Sequence, residues 1–151
     1  DGVVTVVSRL FELVRPQYVI FGEKDFQQLS LIRSIKSDVE IVSAPTVRES
    51  DGLAMSSRNT RLDAESRLQA TVISRALNDA FAADNLATAR AVMREVIKSE
   101  SSFTLDYAEI IDEDDFSEAT ESTLRPRAII SGWLNGVRLI DNMAMRSRVH
   151  E

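Results

Sequence analysis

The chain has 151 residues, of which 44% are hydrophobic and 28% charged, a composition typical of a globular protein with one domain or two small ones. It has no cysteine and one histidine, His150, which excludes disulfides and cysteine nucleophiles and gives little basis for histidine catalysis or zinc binding. The net charge of -6, without a basic patch, disfavours nucleic acid and anionic membranes as partners.

The first residues lack the charged start and cleavage site of a signal peptide, and no apolar run approaches the length of a membrane span. We therefore expect a cytoplasmic protein. The chain does not begin with methionine, which leads us to expect that it starts inside a longer protein.

Residues 3–14 place apolar side chains at helical spacing and predict a helix, although their many β-branched residues make a strand a competitor. Pro16 ends this segment. Residues 18–21 form a short apolar run before Gly22, which is typical of a buried parallel strand that leads into a tight turn.

A second helix is predicted after Asp25, which can cap it, with Gln28 three residues later as in a capping box. Residues 39–44 supply another strand, so the first part of the chain predicts a β-α-β unit with any ligand at the carboxyl ends of its strands. Two parallel strands and one crossover helix cannot cover both faces of their sheet or close its edges. We therefore expect further strands outside this chain.

The rest of the chain predicts a separate α+β unit. Asp63 is a natural N-cap for an amphipathic helix over residues 62–81, and a second helix is predicted over residues 87–98. The predicted buried stripes are Leu68, Val72, Ala76, Leu77, Ala80 and Phe81 in the first helix and Ala89, Val92, Met93, Val96 and Ile97 in the second.

Three antiparallel strands are predicted after these helices. Residues 105–111 alternate as a half-buried strand, and residues 127–134 and 137–143 flank an Asn-Gly pair, the strongest short-range signal for a hairpin. The acidic run 112–115 is interpreted as a solvated loop, with metal binding there as the less favoured alternative. Three strands under two helices complete a small α+β domain.

The loop over residues 45–59, PTVRESDGLAMSSRN, carries groups suited to phosphate. Ser56 and Ser57 offer hydroxyl and backbone N–H groups, and Arg58 offers a planar, permanently charged guanidinium. Gly52 lets the backbone turn without steric cost. Taken alone, the loop is better explained as a polar surface turn whose serines make only local hydrogen bonds.

The turn GEKDFQQL, residues 22–29, is the second informative stretch. Lys24 lies between a strand end and a helix start, where a cation beside the helix N-terminus attracts anions. Asp25 is explained by capping but could equally bind sugar hydroxyls, and Gln28 could bind a polar ligand group or complete the capping box. Because this turn and the loop follow neighbouring strands, their combination predicts a phosphate site formed by Lys24, Ser56, Ser57 and Arg58.

These two motifs, with GVVTVVSRLFELVRP at the start and RLIDNMA near the end, resemble the pantothenate synthetase (pantoate–beta-alanine ligase) family. The resemblance covers essentially the whole chain, more loosely between residues 82 and 125, but only about the C-terminal half of the family's enzyme. It implies the end of a Rossmann-like nucleotidyltransferase domain, residues 1–46, joined to a small C-terminal α+β domain, residues 47–151. Residues 55–58 resemble the family's counterpart of the KMSKS loop.

The resemblance implies ATP-dependent condensation of pantoate with beta-alanine through a pantoyl adenylate, with release of AMP and pyrophosphate. It implies an ATP site of Gly22, Glu23, Lys24, Asp25, Val47, Met55, Ser56, Ser57 and Arg58. Within that site, Gly22 and Asp25 hold the ribose, Val47 and Met55 meet adenine through their backbones, and the remaining cationic and hydroxyl groups neutralise the phosphates. Pantoate is implied at Gln28, Val6 and Val7.

The resemblance also implies magnesium, with its ligands supplied by ATP phosphates or by residues outside this chain, and a homodimeric enzyme. The family's histidine motif, similar to the HIGH motif of class I aminoacyl-tRNA synthetases, is absent. We therefore expect the isolated chain to be inactive and to bind ATP weakly or not at all. The alternative is a non-catalytic module that binds phosphate or a partner through the region of Lys24 and Arg58.

Overall fold

A computed structural model describes residues 2–147 and divides the chain into two compact units, Asp1–Thr46 and Val47–Glu151. The histidine singled out above, His150, lies outside the described residues. None of the helices described is both long enough and apolar enough to cross a membrane.

The first unit is of α/β type, as the sequence predicts. It consists of α1 (Gly2–Val14), β1 (Tyr18–Gly22), α2 (Phe26–Arg33) and β2 (Glu40–Ala44). The two strands pair in parallel, in a register that runs from Tyr18 opposite Glu40 to Gly22 opposite Ala44. The helix assigned to residues 3–14 is confirmed over the competing strand.

Helix α2 forms because its start is capped and one of its faces is buried. The Asp25 carboxylate accepts a hydrogen bond from the Gln28 backbone N–H at 3.2 Å, which satisfies a donor that the helix itself leaves unpaired. Phe26, Leu29 and Ile32 are all buried. On the sheet, by contrast, Tyr18 and Ile20 remain 61% and 64% exposed, so one face of this two-stranded sheet faces solvent.

The second unit is a three-stranded antiparallel sheet with helices, again as predicted. It comprises α3 (Ala64–Ala70), α4 (Val72–Phe81), α5 (Leu86–Lys98), β3 (Phe103–Asp112), β4 (Pro126–Leu134) and β5 (Val137–Ala144), with strand order β3-β4-β5. Asn135 and Gly136 connect β4 to β5 with positive φ angles of 47° and 74°, as a type I′ hairpin turn requires. The core is formed by large side chains from α4, α5 and the sheet, including Ile73, Leu77, Met93, Ile97, Ile110, Ile130 and Leu134.

The prediction of one helix over residues 62–81 is wrong, since α3 and α4 are separate helices that meet at Thr71. The Thr71 hydroxyl donates to the Leu68 carbonyl at 2.6 Å, and the Thr71 backbone N–H donates to the same oxygen at 3.2 Å. These bonds tighten the turn between the two helices. The apolar stripe of α4 therefore does not continue the one predicted for α3. Leu68, predicted to be buried, is 72% exposed, whereas Val72 and Ile73 are buried.

Two details of the sheet also differ from the sequence pattern. Strand β3 starts at Phe103, and its pairing with β4 shifts between Leu105 and Tyr107, which marks a β-bulge. The acidic run at 112–115 is not wholly solvated, because Glu113 accepts a hydrogen bond from the buried Arg127 at 2.6 Å. An ion pair with the neighbouring strand β4 therefore fixes one end of that turn.

Candidate functional site

The turn that joins β1 to α2, residues 22–25, is called the GEKD turn here. Strand β1 ends at Gly22, and the Glu23 backbone N–H donates to the Ala44 carbonyl at 2.8 Å, so the turn is attached to the carboxyl end of β2. Glu23 and Lys24 are half-buried, and Asp25 is the N-cap of α2. The predicted residues Gly22, Glu23, Lys24 and Asp25 are therefore consecutive at the carboxyl edge of the sheet, where open α/β sheets bind ligands.

The residues assigned to pantoate lie on two helices of the first unit. Gln28 is half-buried in the first turn of α2. Val7 is half-buried on the side of α1 that carries the buried Phe11, four residues along the helix. Val6 is 60% exposed. Val6 and Val7 thus point from α1 in different directions.

A cavity of about 480 Å³ lies elsewhere in the first unit. Its lining includes Phe11 and Arg15 near the end of α1 and Ile35 and Val39 before β2. These residues precede the amino ends of the strands, whereas the GEKD turn follows the carboxyl end of β1. None of the predicted site residues lines this cavity.

The second group of predicted residues lies on residues 47–61, called the SSR loop here. Its first part folds back on itself: Arg48 pairs antiparallel with Ala54, and the Met55 N–H donates to the Val47 carbonyl at 2.9 Å. Gly52 makes the reversal possible with a φ of 86°, and its N–H donates to the Glu49 carbonyl at 2.9 Å. Val47 and Met55, both assigned to adenine, are therefore neighbours.

The tip of the SSR loop, Met55 to Arg58, presents polar groups to solvent. Ser56 caps a short 3-10 helix, Ser57–Arg61, by accepting from the Arg58 backbone N–H at 3.2 Å. Ser57 and Arg58 are exposed. Among the described residues, none forms an ion pair with Arg58. A hydroxyl pair beside an unpaired guanidinium is a suitable arrangement for binding phosphate oxygens.

An ion pair with β5 holds the start of the SSR loop. Arg48 binds the two carboxylate oxygens of Asp141 at 2.6 and 3.0 Å, and it also donates to the Gly52 carbonyl at 3.1 Å. Asp141 is 4% exposed. The bidentate geometry fixes both distance and orientation, so the folded-back part of the loop is attached to the sheet.

A second cluster of polar side chains connects the SSR loop to helix α3. Glu49 accepts from the Asn59 side-chain amide at 2.9 Å and from Arg67 on α3 at 2.6 Å, and Arg67 also contacts Asp51 at 3.0 Å. The hydrogen bond from Arg67, followed by that from Asn59, holds the pKa of Glu49 below its usual value. The backbone hydrogen bond from Leu53 lowers the pKa of Asp51. Both carboxyl groups are therefore held in the ionised form at neutral pH.

Sequence reasoning did not find these supporting residues. Arg48 and Asp141 are 93 positions apart, and Glu49 and Arg67 are 18 apart, so no local spacing links them. The only signal was their presence inside or near recognisable motifs. Within the described part of the chain, no group of three or more acidic or histidine side chains is arranged to hold a metal ion.

Comparison with known proteins identifies the relatives of this chain. A sequence model of the pantoate–beta-alanine ligase family matches residues 1–144. Pantothenate synthetase of Chlorobium luteolum is 44% identical, with 97% of this chain and 56% of the relative covered. That of Chlorobium phaeovibrioides is 42% identical, with 99% and 55% covered. The chain thus spans about half the length of the curated relatives it matches.

Solved structures give the same result. The crystal structure of pantothenate synthetase from Thermus thermophilus matches 94% of this chain and 54% of its own, with a TM-score of 0.86 and 40% identity. Pantoate–beta-alanine ligase from Francisella tularensis, complexed with beta-gamma ATP and beta-alanine, matches 94% of this chain and 49% of its own. Its TM-score is 0.67 at 28% identity.

Proposed function

This chain belongs to the pantoate–beta-alanine ligase family, and from that membership we propose that it supplies about half of an enzyme that condenses pantoate with beta-alanine using ATP. The observation that carries the proposal is the loop tip of the half-buried Ser56 and the exposed Ser57 and Arg58, on a loop anchored by ion pairs. The relative complexed with beta-gamma ATP and beta-alanine supports the choice of these two substrates.

In this proposal the phosphates of ATP bind two groups of residues. Lys24 of the GEKD turn supplies a cation next to the N-terminus of α2, and Arg58 supplies a fork of N–H donors. Ser56 and Ser57 add hydroxyl and backbone donors. These groups act by neutralising the charge that builds up on the phosphates as pyrophosphate leaves.

The nucleoside part of ATP is assigned to neighbouring residues. Gly22 and Asp25 hold the ribose, because the Asp25 carboxylate can accept hydrogen bonds from ribose hydroxyls. Glu23 lies beside them in the GEKD turn. Adenine lies against the backbones of Val47 and Met55. Because the Val47 carbonyl already accepts from the Met55 N–H, the Met55 carbonyl is the acceptor that we assign to the adenine amino group.

Pantoate is assigned to Gln28, Val6 and Val7. Gln28 offers both a donor and an acceptor to hydroxyl or carboxylate groups, and the half-buried Val7 offers apolar surface to methyl groups. The exposure of Val6 makes it the least supported member of this set.

The reaction has two steps in this account. The pantoate carboxylate attacks the α-phosphorus of ATP, so that pantoyl adenylate forms and pyrophosphate leaves. The amine of beta-alanine then attacks the acyl carbon, and the amide C–N bond forms as the bond between that carbon and the phosphate oxygen breaks. AMP leaves with the electron pair of the broken bond, and the attacking amine gives up a proton to solvent. The residues of this chain contribute alignment and charge stabilisation.

Magnesium is proposed to enter with ATP, bound through phosphate oxygens, because the described residues offer no acidic cluster for it. The full-length enzyme is proposed to be a cytoplasmic homodimer. The isolated chain is proposed to be inactive, because neither described group of site residues contains a histidine and the chain spans only about half the length of its relatives.

The test of this function is pantoate-dependent exchange of pyrophosphate into ATP by the full-length protein. Removing one preorganised donor typically costs about 2.7–4 kcal/mol, so Lys24→Ala should lower the exchange rate roughly a hundredfold or more. Lys98→Ala is the control, since Lys98 pairs only with Glu95 on the surface of α5 among the described residues. Near-normal exchange by the Lys24 variant would contradict the assignment of that residue.

A further inference from the structure

We propose that Glu49 is a positioning residue for ATP binding, which holds the tip of the SSR loop in place through Asn59 on one carboxylate oxygen and Arg67 on the other. The proposal rests on the function proposed above, because it concerns how the phosphate-binding residues are held. It assigns no contact between Glu49 and ATP.

Asn59 is the link between Glu49 and the tip. Its side-chain amide donates to the Glu49 Oε1 at 2.9 Å and to the Ala54 carbonyl at 3.1 Å, and its backbone N–H donates to the Ser56 carbonyl at 3.0 Å. Ala54 comes just before the tip and Asn59 just after it. Asn59 therefore connects both ends of the tip to the Glu49 carboxylate. Asn59 itself is buried, with 6% of its surface exposed.

Arg67 links the same carboxylate to the body of the second unit. It donates to the Glu49 Oε2 at 2.6 Å from α3. Helix α3 is itself fixed at its start, where the Asp63 carboxylate accepts from the Ser66 N–H at 2.8 Å. The path from α3 to the tip therefore runs through Arg67, Glu49 and Asn59.

The charge of Glu49 argues for positioning and against ligand binding. A carboxylate repels phosphate, so an acid at the base of a phosphate-binding loop does not serve the ligand directly. Its two oxygens instead accept from two separate donors, a geometry for which a carboxylate is well suited. Arg67 and Asp51 are the charged groups beside it, and the Arg67 guanidinium offsets the negative charge.

Loss of Glu49 would leave the buried Asn59 amide with the Ala54 carbonyl as its acceptor. Among the described residues, Arg67 would keep an ion pair only with Asp51. The tip would then keep its residues but lose its fixed placement. A misplacement of about 1 Å can cost about a hundredfold in rate. We therefore expect the displaced tip to bind ATP less well, which would raise the KM for ATP. Pantoate, assigned to α1 and α2, should not be affected.

The experiment compares Glu49→Ala and Glu49→Gln in the full-length protein and measures kcat and the KM values for ATP and pantoate. We expect Glu49→Ala to raise the KM for ATP about tenfold or more with an unchanged KM for pantoate. Glu49→Gln, which keeps an acceptor for Asn59, should recover part of the loss. Glu109→Gln is the matched control for Glu49→Gln, because Glu109 on β3 also forms an ion pair with an arginine, Arg94 on α5, at 2.8 Å.

A role in stability alone predicts a different result, namely less active protein with a lower kcat and unchanged KM values, and that result would overturn the proposal. Faster hydrogen exchange at the Met55 and Asn59 amides of Glu49→Ala would support it independently of activity. Should Glu49→Ala fail to fold, an unchanged KM for ATP in Glu49→Gln together with unchanged amide exchange would overturn it. A wild-type protein without pantoate-dependent exchange would instead contradict the proposed function itself.

Discussion

Glu49 and Arg67 form an ion pair through which the stability of the second unit is expected to depend on pH. The hydrogen bond from Arg67 lowers the pKa of Glu49 in the folded protein, and the same hydrogen bond to Glu49 raises the pKa of Arg67. A carboxyl group whose pKa is lowered by folding stabilises the folded state at pH values above its unfolded pKa. That contribution is lost as the pH falls through the lower, folded pKa.

Urea unfolding at a series of pH values can test this linkage. Trp133 is the only tryptophan and lies in β4 of the unit that contains Glu49, so its fluorescence reports on that unit. We expect wild type to be more stable than Glu49→Gln at neutral pH, and the difference to shrink as acid protonates Glu49. A difference in stability that stays constant down to strongly acidic pH would contradict the lowered pKa.

Among the secondary-structure elements, the junction of β3 and β4 has the tightest packing around a glycine. A Cβ atom added at Gly132 would meet the Thr104 carbonyl oxygen at 2.6 Å, and the ring of Phe103 would be closer still. Since Gly132 pairs with Leu105 next to the bulge, the two backbones cannot separate without breaking the ladder. Only glycine fits at this position.

Gly132→Ala should therefore destabilise the second unit by about 1–3 kcal/mol, the usual cost of overpacking. Urea unfolding followed by Trp133 fluorescence measures this. Gly2→Ala makes the same chemical change where a Cβ atom meets nothing within 4 Å, and it should leave the midpoint unchanged. Equal midpoints for wild type and Gly132→Ala would show that β3 and β4 can move apart.

The elements that were predicted correctly are those with local causes. The Asn135-Gly136 turn follows from two residues that tolerate positive φ, and the start of α2 follows from the Asp25 cap. The break at Thr71 was missed because apolar spacing continues through it, while the hydroxyl bond to Leu68 that tightens the turn has no signature in the spacing.

The candidate site divides in the same way. The sequence suggests Ser56, Ser57 and Arg58 as phosphate-binding residues because their side chains suit phosphate wherever they are held, and this assignment stays a prediction. The Arg48–Asp141 and Glu49–Arg67 supports were not visible, because each joins residues that only the folded second unit brings together. Candidate ligand-binding residues can thus be proposed from their chemistry alone, whereas the residues that hold them in place become visible only in the fold.

At the level of the whole molecule, the first unit has a face that a complete parallel sheet would cover. Tyr18, Ile20 and Val42 lie on this face and are 61%, 64% and 38% exposed. Parallel sheets are almost always covered on both faces, and the relatives are nearly twice as long as this chain. We expect the remaining part of a full-length protein to pack against this face.

The substitution Ile20→Glu can show whether this face, exposed in the isolated chain, is covered in the full-length protein. In the isolated chain the substitution should reduce self-association, measured by sedimentation, because it places a charge on an exposed apolar face. In the full-length protein it should lower the thermal midpoint, because the same charge would be buried. Leu124→Glu, at a residue of the second unit that is 61% exposed, should leave the midpoint unchanged. An unchanged midpoint for Ile20→Glu in the full-length protein would mean that nothing covers this face.

The central claim is that this chain supplies the phosphate-binding part of an enzyme that activates pantoate with ATP. Pantoate-dependent exchange of pyrophosphate into ATP tests it most directly when it is measured on the isolated chain, the full-length protein, and a full-length variant with Ser56, Ser57 and Arg58 changed to alanine. We predict exchange by the full-length protein, none by the isolated chain, and a loss of about a hundredfold or more in the variant. Exchange by the isolated chain, or a variant as active as the full-length protein, would contradict the claim.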